Sequence, residues 1–142
     1  MNATSAATAS AITFVWLGMV LAISFLEAPL KFRAPGVTIP IGLGIGRLVF
    51  RALNAVEAAC AVVVIAAIAA GGSPAGLTAL TAVVAVLLLV QLAVVRPYLN
   101  RRSDRILEGA ELPRSRSHFW YVALEMLKVV ALIALGIGLL TV

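Results

Sequence analysis

The chain has 142 residues, of which 63% are hydrophobic and only 12% charged, and its mean hydropathy is +1.11. A soluble domain carries roughly 25% charged residues, and a soluble fold of this length could not bury so much apolar surface, so the composition indicates an integral membrane protein. The net charge of +5 does not predict a nucleic-acid-binding protein, because no stripe of basic and aromatic residues accompanies it.

Four apolar segments are each about 20 residues long or longer, which is enough to cross roughly 30 Å of hydrocarbon. They are residues 11–30, 41–70, 75–95 and 117–142. No Lys or Arg precedes the first segment, so it is interpreted as a retained span rather than a cleaved signal peptide. The motif Gly-Gly-Ser-Pro at 71–74 predicts a tight turn between the second and third segments. The sequence therefore predicts an all-α, integral membrane four-helix bundle that forms a single domain over residues 1–142.

The stretch before the second span contains Pro35, Pro40 and the run Ile-Gly-Leu-Gly-Ile-Gly at 41–46. The glycine spacing is not interpreted as a phosphate-binding loop, because no strand precedes it and no Lys-Ser or Lys-Thr pair follows it. The prolines and glycines instead predict an irregular or re-entrant start to the second helix.

The third connection, residues 97–116, is predicted to hold a short amphipathic helix at the membrane surface. Ile106 and Leu107 lie opposite Arg101 and Arg105 on such a helix. An interfacial, solvated basic loop is the simplest interpretation of this segment.

Basic residues are concentrated in or beside the first and third connections. Ten of the eleven lie there: Lys31, Arg33, Arg47, Arg51, Arg96, Arg101, Arg102, Arg105, Arg114 and Arg116. The termini and the motif at 71–74 carry none. By the positive-inside rule, both basic connections are expected in the cytoplasm and both termini outside it.

Three glutamates lie within the predicted spans, namely Glu27, Glu57 and Glu125. Counted along the helices at about 1.5 Å per residue, all three fall in the cytoplasmic half of the bilayer. A charge facing lipid at the bilayer centre costs at least about 2.5–3.5 kcal/mol, so these carboxyl groups are expected to face protein or water.

Further polar side chains share faces with these glutamates. On the fourth helix, His118, Tyr121, Glu125 and Lys128 occupy an arc of about 80°. The second helix carries four more: Arg47, Arg51, Asn54 and Glu57. The sequence predicts one polar cluster that binds a ligand or an ion, open to the cytoplasm and formed by Glu27, Arg47, Arg51, Asn54, Glu57, His118, Tyr121, Glu125 and Lys128.

Two interpretations of the cluster stay open, a cavity for a solute, proton or ion, and interhelical ion pairs that only set helix register. No metal site is predicted, because the Glu-x-x-His repeat of carboxylate metal bundles is missing. No catalytic residue is predicted either, because the serines have only His118 as a possible base, and Ser117, next to it in sequence, does not face it on a helix. The sequence names no cofactor.

Two long motifs, VWLGMVLAISFLEAPLKF at 15–32 and GRLVFRALNAVE at 46–57, resemble a group of small bacterial four-span membrane proteins of unknown function. The segments RPYLNRRSDRILEG and HFWYVALEMLK extend the resemblance over most of the chain. The resemblance implies a four-span protein of the bacterial inner membrane and an association with membrane transport or resistance to toxic compounds.

A shorter motif, RLVFRALNAVE at 47–57, is similar to the helix-two pattern of the membrane-associated proteins in eicosanoid and glutathione metabolism, which reads Arg-x-x-Arg-Ala-x-x-Asn-x-x-Glu. Arg47, Asn54 and Glu57 match that spacing, whereas Phe50 occupies the place of the second arginine and Arg51 follows it. Those proteins are trimers that bind glutathione between subunits. The similarity implies an alternative function, a glutathione-type transferase in which Arg51, Asn54 and Glu57 hold the thiol substrate.

The sequence thus favours transport or permeation of a small solute or ion. The alternatives are the glutathione-type transferase and an accessory or scaffold subunit without chemistry. The expected partners are the lipid bilayer, a small solute or ion, and further copies of the chain, because four helices rarely enclose a complete pathway. No nucleic-acid partner is expected.

Overall fold

The computed structural model describes residues 1–109 and 117–142, except for the side chains of Ser117 and His118. Within these ranges the chain is helical and contains no strand. It forms four long helices: α1 (Ala3–Arg33), α2 (Ile39–Gly71), α3 (Ala75–Leu107) and α4 (Ser117–Leu140). Each is long and apolar enough to cross a membrane. The prediction of an all-α chain with four long apolar helices is confirmed.

Helix α1 begins at Ala3, well before the apolar run that starts at residue 11. The side chain of Asn2 caps it by accepting a hydrogen bond from the backbone N–H of Ser5 at 2.8 Å. The Ser- and Thr-rich start of the chain is therefore helical, although its hydropathy is low.

Helix α2 begins at Ile39, directly after Thr38, whose hydroxyl accepts a hydrogen bond from the N–H of Ile41 at 3.4 Å. The predicted irregular start across residues 41–46 is wrong, because this run is α-helical. Pro40 lies in the first turn, where a helix needs no N–H donor. Gly46 leaves room for the ammonium of Lys31, which would lie 3.1 Å from an added Cβ.

Helix α3 continues to Leu107, so the amphipathic segment predicted at 97–116 extends the third helix instead of forming a separate one. Gly109 follows with a φ of 90°, a conformation that favours glycine. The remainder of that segment, residues 110–116, lies outside the described part of the chain.

Both α1 and α3 contain a π-helical turn immediately before a proline. The turns span Leu21–Glu27, before Pro29, and Gln91–Val95, before Pro97. The N–H groups of Ala28 and Arg96 bond to carbonyls five residues back, at Ile23 and Gln91. A proline ring inside a helix clashes with the carbonyl four residues earlier, and the wider π turn accommodates it.

The helices form a ring in chain order with alternating direction. Helix α1 packs against α2 and α4, and α4 also packs against α3. Of the neighbouring pairs in this ring, α2 and α3 are packed together least. The N–H of Asn2 bonds to the carbonyl of Gly71, and Leu77 lies against Gly138. Both termini and the turn at 72–74 therefore lie at one end of the bundle, called here the terminal end. The opposite end, called the basic end, carries Lys31, Arg47 and Arg96.

The bundle is apolar on the outside and partly polar on the inside. Large hydrophobic side chains such as Leu48, Val62 and Leu89 are more than 60% exposed. The buried positions instead include Glu57, Gln91, Glu125 and Lys128. Because water would penalise the first group and hydrocarbon would stabilise it, this distribution suits a chain surrounded by lipid.

Candidate functional site

Three charged side chains meet at the centre of the bundle. The ammonium of Lys128 lies 2.5 Å from Oε2 of Glu57 on α2 and 2.5 Å from Oε1 of Glu125, one turn earlier on α4. The three side chains are at most 1% exposed. Lysine and glutamate are almost never fully buried unless they are paired, and here one ammonium joins two carboxylates.

Three neutral side chains add further hydrogen bonds to this group. The amide of Gln91 accepts from Lys128 at 2.8 Å and donates to Oε1 of Glu125 at 2.8 Å. Trp16 donates its indole N–H to Glu57 at 2.8 Å, and Ser24 donates to Glu125 at 2.5 Å. All four helices thus contribute to one network, called here the central cluster: Trp16, Ser24, Glu57, Gln91, Glu125 and Lys128.

The two π turns supply two members of the central cluster, Ser24 in α1 and Gln91 in α3. A π turn holds one extra residue, so the side chains around it are displaced by about 100° from their phase on a regular α-helix. Turns of this kind are rare and are frequently found at functional sites. Pro29 and Pro97 therefore influence the cluster indirectly, through the turns that precede them.

The central cluster holds more acid than base. With every group ionised, Glu57 and Glu125 outweigh Lys128 by one negative charge. In addition, Oε1 of Glu57 is buried and meets no hydrogen-bond partner among the described residues. A buried carboxylate oxygen without a donor is costly, so this oxygen is the natural place for a proton or another small cation.

A cavity of about 450 Å³ leads from the basic end to the central cluster. All four helices line it, and its inner wall includes Ser24 and Glu125. Three basic side chains, Lys31, Arg47 and Arg96, also line it. A volume of this size is typical of sites for small molecules.

The structure brings some of the predicted site residues to the cluster or the cavity. Glu57, Glu125 and Lys128 form the centre of the cluster. Tyr121 is buried beside the cavity, with its ring edge-to-face against Phe50 at 5.9 Å. Arg47 lines the cavity near its mouth, where it forms an ion pair with Asp104 on α3.

The other predicted residues lie apart from the central cluster. Glu27 is nearer the basic end, where its carboxylate is 3.8 Å from Lys31. Arg51 is exposed on the outer face of α2, and Asn54 is half-buried. The side chain of His118 lies outside the described part of the chain. Glu27 is eleven residues beyond Trp16 on α1, or about 16 Å along the helix, which explains why it does not reach Glu57.

Sequence reasoning missed Trp16, Ser24 and Gln91. One signal was available for Gln91, because it is the only amide side chain between Ala75 and Val95 in an otherwise apolar helix. The prolines at 29 and 97 were a second signal, since a proline inside a long apolar helix predicts a local change in helical phase. No comparable pattern indicated that the indole of Trp16 would face a carboxylate.

Among the described side chains, no group of three histidine, cysteine, aspartate or glutamate residues lies close enough to hold a metal ion. Comparison of the chain with protein-family models, with curated proteins and with solved structures finds no match.

Proposed function

We propose that the chain is a multi-pass membrane protein that transports or conducts a small solute or ion, and that the central cluster holds the proton that accompanies this movement. The observation that carries the proposal is the buried group of Glu57, Glu125 and Lys128, in which two carboxylates share one ammonium at the inner end of a cavity.

The charge of the cluster supports a proton-binding role. An uncompensated charge in the interior costs several kcal/mol, so the cluster is stabilised when one additional cation joins it. A proton on Glu57 or Glu125 neutralises the group without needing more space. Polar and ionisable residues inside membrane helices commonly form such proton relays.

Buried hydroxyl groups continue from the cluster towards the terminal end. Thr13 and Ser10 precede Trp16 by one and two turns on α1, and both are buried. Thr81 is buried on α3. Within the described residues, the hydroxyl of Thr13 has no hydrogen-bond partner, so it is free to bond to a passing proton carrier such as water. The cavity and these hydroxyls together supply polar groups on both sides of the cluster.

The proposal also covers the orientation of the chain in the membrane and its oligomeric state. The concentration of basic residues at one end supports a cytoplasmic basic end in the bacterial inner membrane, with both termini outside. Large apolar side chains cover the outer surface, and they suit contact with lipid or with further copies of the chain. We expect a homo-oligomer, because four helices provide few walls for a continuous pathway.

Proton flux into liposomes tests the proposed function. Purified protein is reconstituted into liposomes that enclose a pH-sensitive dye, and a potassium gradient with valinomycin drives proton entry. We expect faster acidification than in protein-free liposomes. Glu125→Gln is expected to lower the protein-dependent rate by about tenfold or more, because the amide cannot carry the exchangeable proton.

The matched control is Glu27→Gln, which makes the same change on a partly exposed carboxylate outside the cluster. It is expected to preserve the flux. Size-exclusion chromatography of each variant establishes that the protein is folded. Wild-type liposomes that acidify no faster than protein-free ones would contradict the proposal.

The two alternatives make different demands on the site. A glutathione-type transferase needs Arg51, Asn54 and Glu57 at one ligand, whereas within a single chain Arg51 is exposed and Glu57 is engaged by Lys128 and Trp16. An accessory subunit would use the central cluster only to hold the helices together. In that case Glu125→Gln lowers stability while the wild-type protein conducts no protons.

A further inference from the structure

One cation that lines the cavity, Arg96, has buried hydrogen-bond donors without an acceptor among the described residues. Arg96 on α3 lies with its guanidinium 4.6 Å from the ring of Phe50 and 4.7 Å from the ring of Tyr121. These rings stabilise the positive charge by cation–π contact. The Arg96 side chain also has a hydrogen-bonding contact with Tyr121. The ring faces do not satisfy Nε and Nη2, because the N–H groups of these two nitrogens point outward in the plane of the guanidinium.

Two nitrogens of Arg96, Nε and Nη2, are buried and meet no hydrogen-bond acceptor among the described residues. These two nitrogens lie on the same edge of the guanidinium, where they form a fork that fits the two oxygens of one carboxylate. Arg96 also has no ion-pair partner in the part of the chain that the structure describes. Leaving the buried donors of a charged group unpaired is unfavourable, so the fork favours a bound anion.

A second cation faces the same aromatic ring. The ammonium of Lys31 lies 5.6 Å from the centroid of the Phe50 ring, and its carboxylate contact, Glu27, is at the long distance of 3.8 Å. Lys31 lines the cavity together with Arg96. Among the described residues that line the cavity, the one carboxylate, Glu125, is already bound by Lys128. The cavity is therefore positive where a ligand would bind.

The rest of the cavity wall near this fork is largely apolar. Aromatic and aliphatic side chains line it, namely Phe25, Phe32, Phe50, Leu43 and Leu99. A fully hydrated inorganic anion would leave these side chains without contacts. An anion with a flat apolar body would bury them and still present its charge to Arg96.

We propose that the cavity binds an organic monocarboxylate with a compact apolar or aromatic body, held by the Nε–Nη2 edge of Arg96 with Lys31 as a second cation. This site lies in the cavity whose wall also includes Glu125 of the central cluster. The inference rests on the proposed function and deepens it, because it names the class of solute. Binding is measured without any flux, so a failure of this inference is distinguishable from a failure of proton movement.

The test uses the full chain in phosphatidylcholine nanodiscs and two probes of nearly the same shape, a naphthoate and the corresponding naphthamide. Equilibrium dialysis measures the binding of each probe, with empty nanodiscs subtracted. The naphthoate is expected to bind about tenfold or more tightly than the uncharged amide, because only the carboxylate completes the fork. Equal binding of both probes overturns the proposal.

Substitutions of two arginines test which positive charge binds the naphthoate. Arg96→Gln is expected to weaken naphthoate binding by about tenfold or more, and Arg96→Lys to weaken it less, because lysine keeps the charge and loses the fork. Arg101→Gln is the matched control, because it removes the same charge from an exposed position on the same helix. An equal loss in Arg96→Gln and Arg101→Gln overturns the proposal, since binding then reflects overall charge.

Two further measurements keep the test decisive. If Arg96→Gln does not fold, Lys31→Gln replaces it, and unchanged naphthoate binding in that variant overturns the proposal. Phosphatidylglycerol is added to a second set of nanodiscs. A protein that is stabilised by this lipid, and that fails to bind naphthoate in phosphatidylcholine alone, also overturns the proposal, because the fork then serves a lipid phosphate.

Discussion

The two ends of the bundle are built in different ways. At the terminal end, Gly71 and Gly138 let the helices approach closely. The buried side chains there include Ala9, Val64, Leu77, Leu135 and Leu139. At the basic end, large aromatic and charged side chains hold the helices apart around a cavity of about 450 Å³. The central cluster lies between the two.

The two ends pack differently because they contain side chains of different size and charge. Membrane helices gain no hydrophobic driving force from one another in lipid, so close packing of small residues stabilises their association. The close packing at the terminal end is of this kind. The basic end instead has to pair Lys31, Arg47 and Arg96 with acceptors and aromatic rings, and this leaves space for a ligand. Stability is therefore expected to depend on the terminal end and the central cluster, and binding on the basic end.

The largest effect on stability is expected from Lys128→Met. This change leaves Glu57 and Glu125 facing each other in the interior without their shared cation, and breaking a buried ion pair of this kind costs about 3–5 kcal/mol. The measurement is reversible unfolding in mixed micelles. The matched variant is Lys31→Met at the basic end, where a smaller loss is expected because the carboxylate contact of Lys31 with Glu27 is 3.8 Å long. An equal loss of stability in the two variants would contradict the expectation that stability depends more on the central cluster than on the basic end.

A smaller effect is expected from Gly71→Ala at the terminal end. The added methyl group would lie 2.7 Å from the Cβ of Ser5, so α1 has to shift, at a cost of about 1–3 kcal/mol. Gly44→Ala is the control at the basic end, where no atom outside the local helix lies within 4 Å of the added methyl. We expect that variant to be neutral or to stabilise the helix by up to about 1 kcal/mol. Thermal unfolding in detergent compares the two, and similar destabilisation by both would contradict tighter packing at the terminal end.

The smallest effect is expected from Arg47→Ala. Its ion pair with Asp104 is substantially exposed, with side chains 37% and 50% accessible, so its loss should cost about 0–1 kcal/mol. The same unfolding experiment, repeated at high salt, should reduce even that difference, because salt screens exposed charges. A loss comparable to that of Lys128→Met would show that the basic end is more rigid than its open cavity indicates.

Several features of the fold could be predicted from the sequence because lipid imposes strict conditions. Long apolar runs have to be helices that satisfy their own backbone groups, and this identified four helices. The same condition predicted that Glu57, Glu125 and Lys128 would face the interior, since a carboxylate or ammonium exposed to hydrocarbon is costly. Arg51 did not follow this rule. Its long side chain is exposed on the outer face, where it can extend towards a polar boundary.

The composition of the central cluster was harder to predict. Trp16 and Ser24 are uncharged, so the cost of a charge in lipid does not apply to them. On regular α-helices, the spacing of Trp16, Ser24 and Gln91 does not predict that the three side chains meet. The π turns before Pro29 and Pro97 change that phase. Glu27 was predicted at the level of Glu57 from depth alone, whereas the partner of Glu57 on α1 is Trp16.

The sequence by itself determined four long helices, a basic end and an interior position for three charged side chains, because hydrophobicity and charge act on each residue separately. Only the tertiary structure decided which groups meet: Gln91 between Lys128 and Glu125, and Arg96 between Phe50 and Tyr121. These contacts depend on the relative phase and height of different helices, and short-range sequence patterns do not encode either quantity.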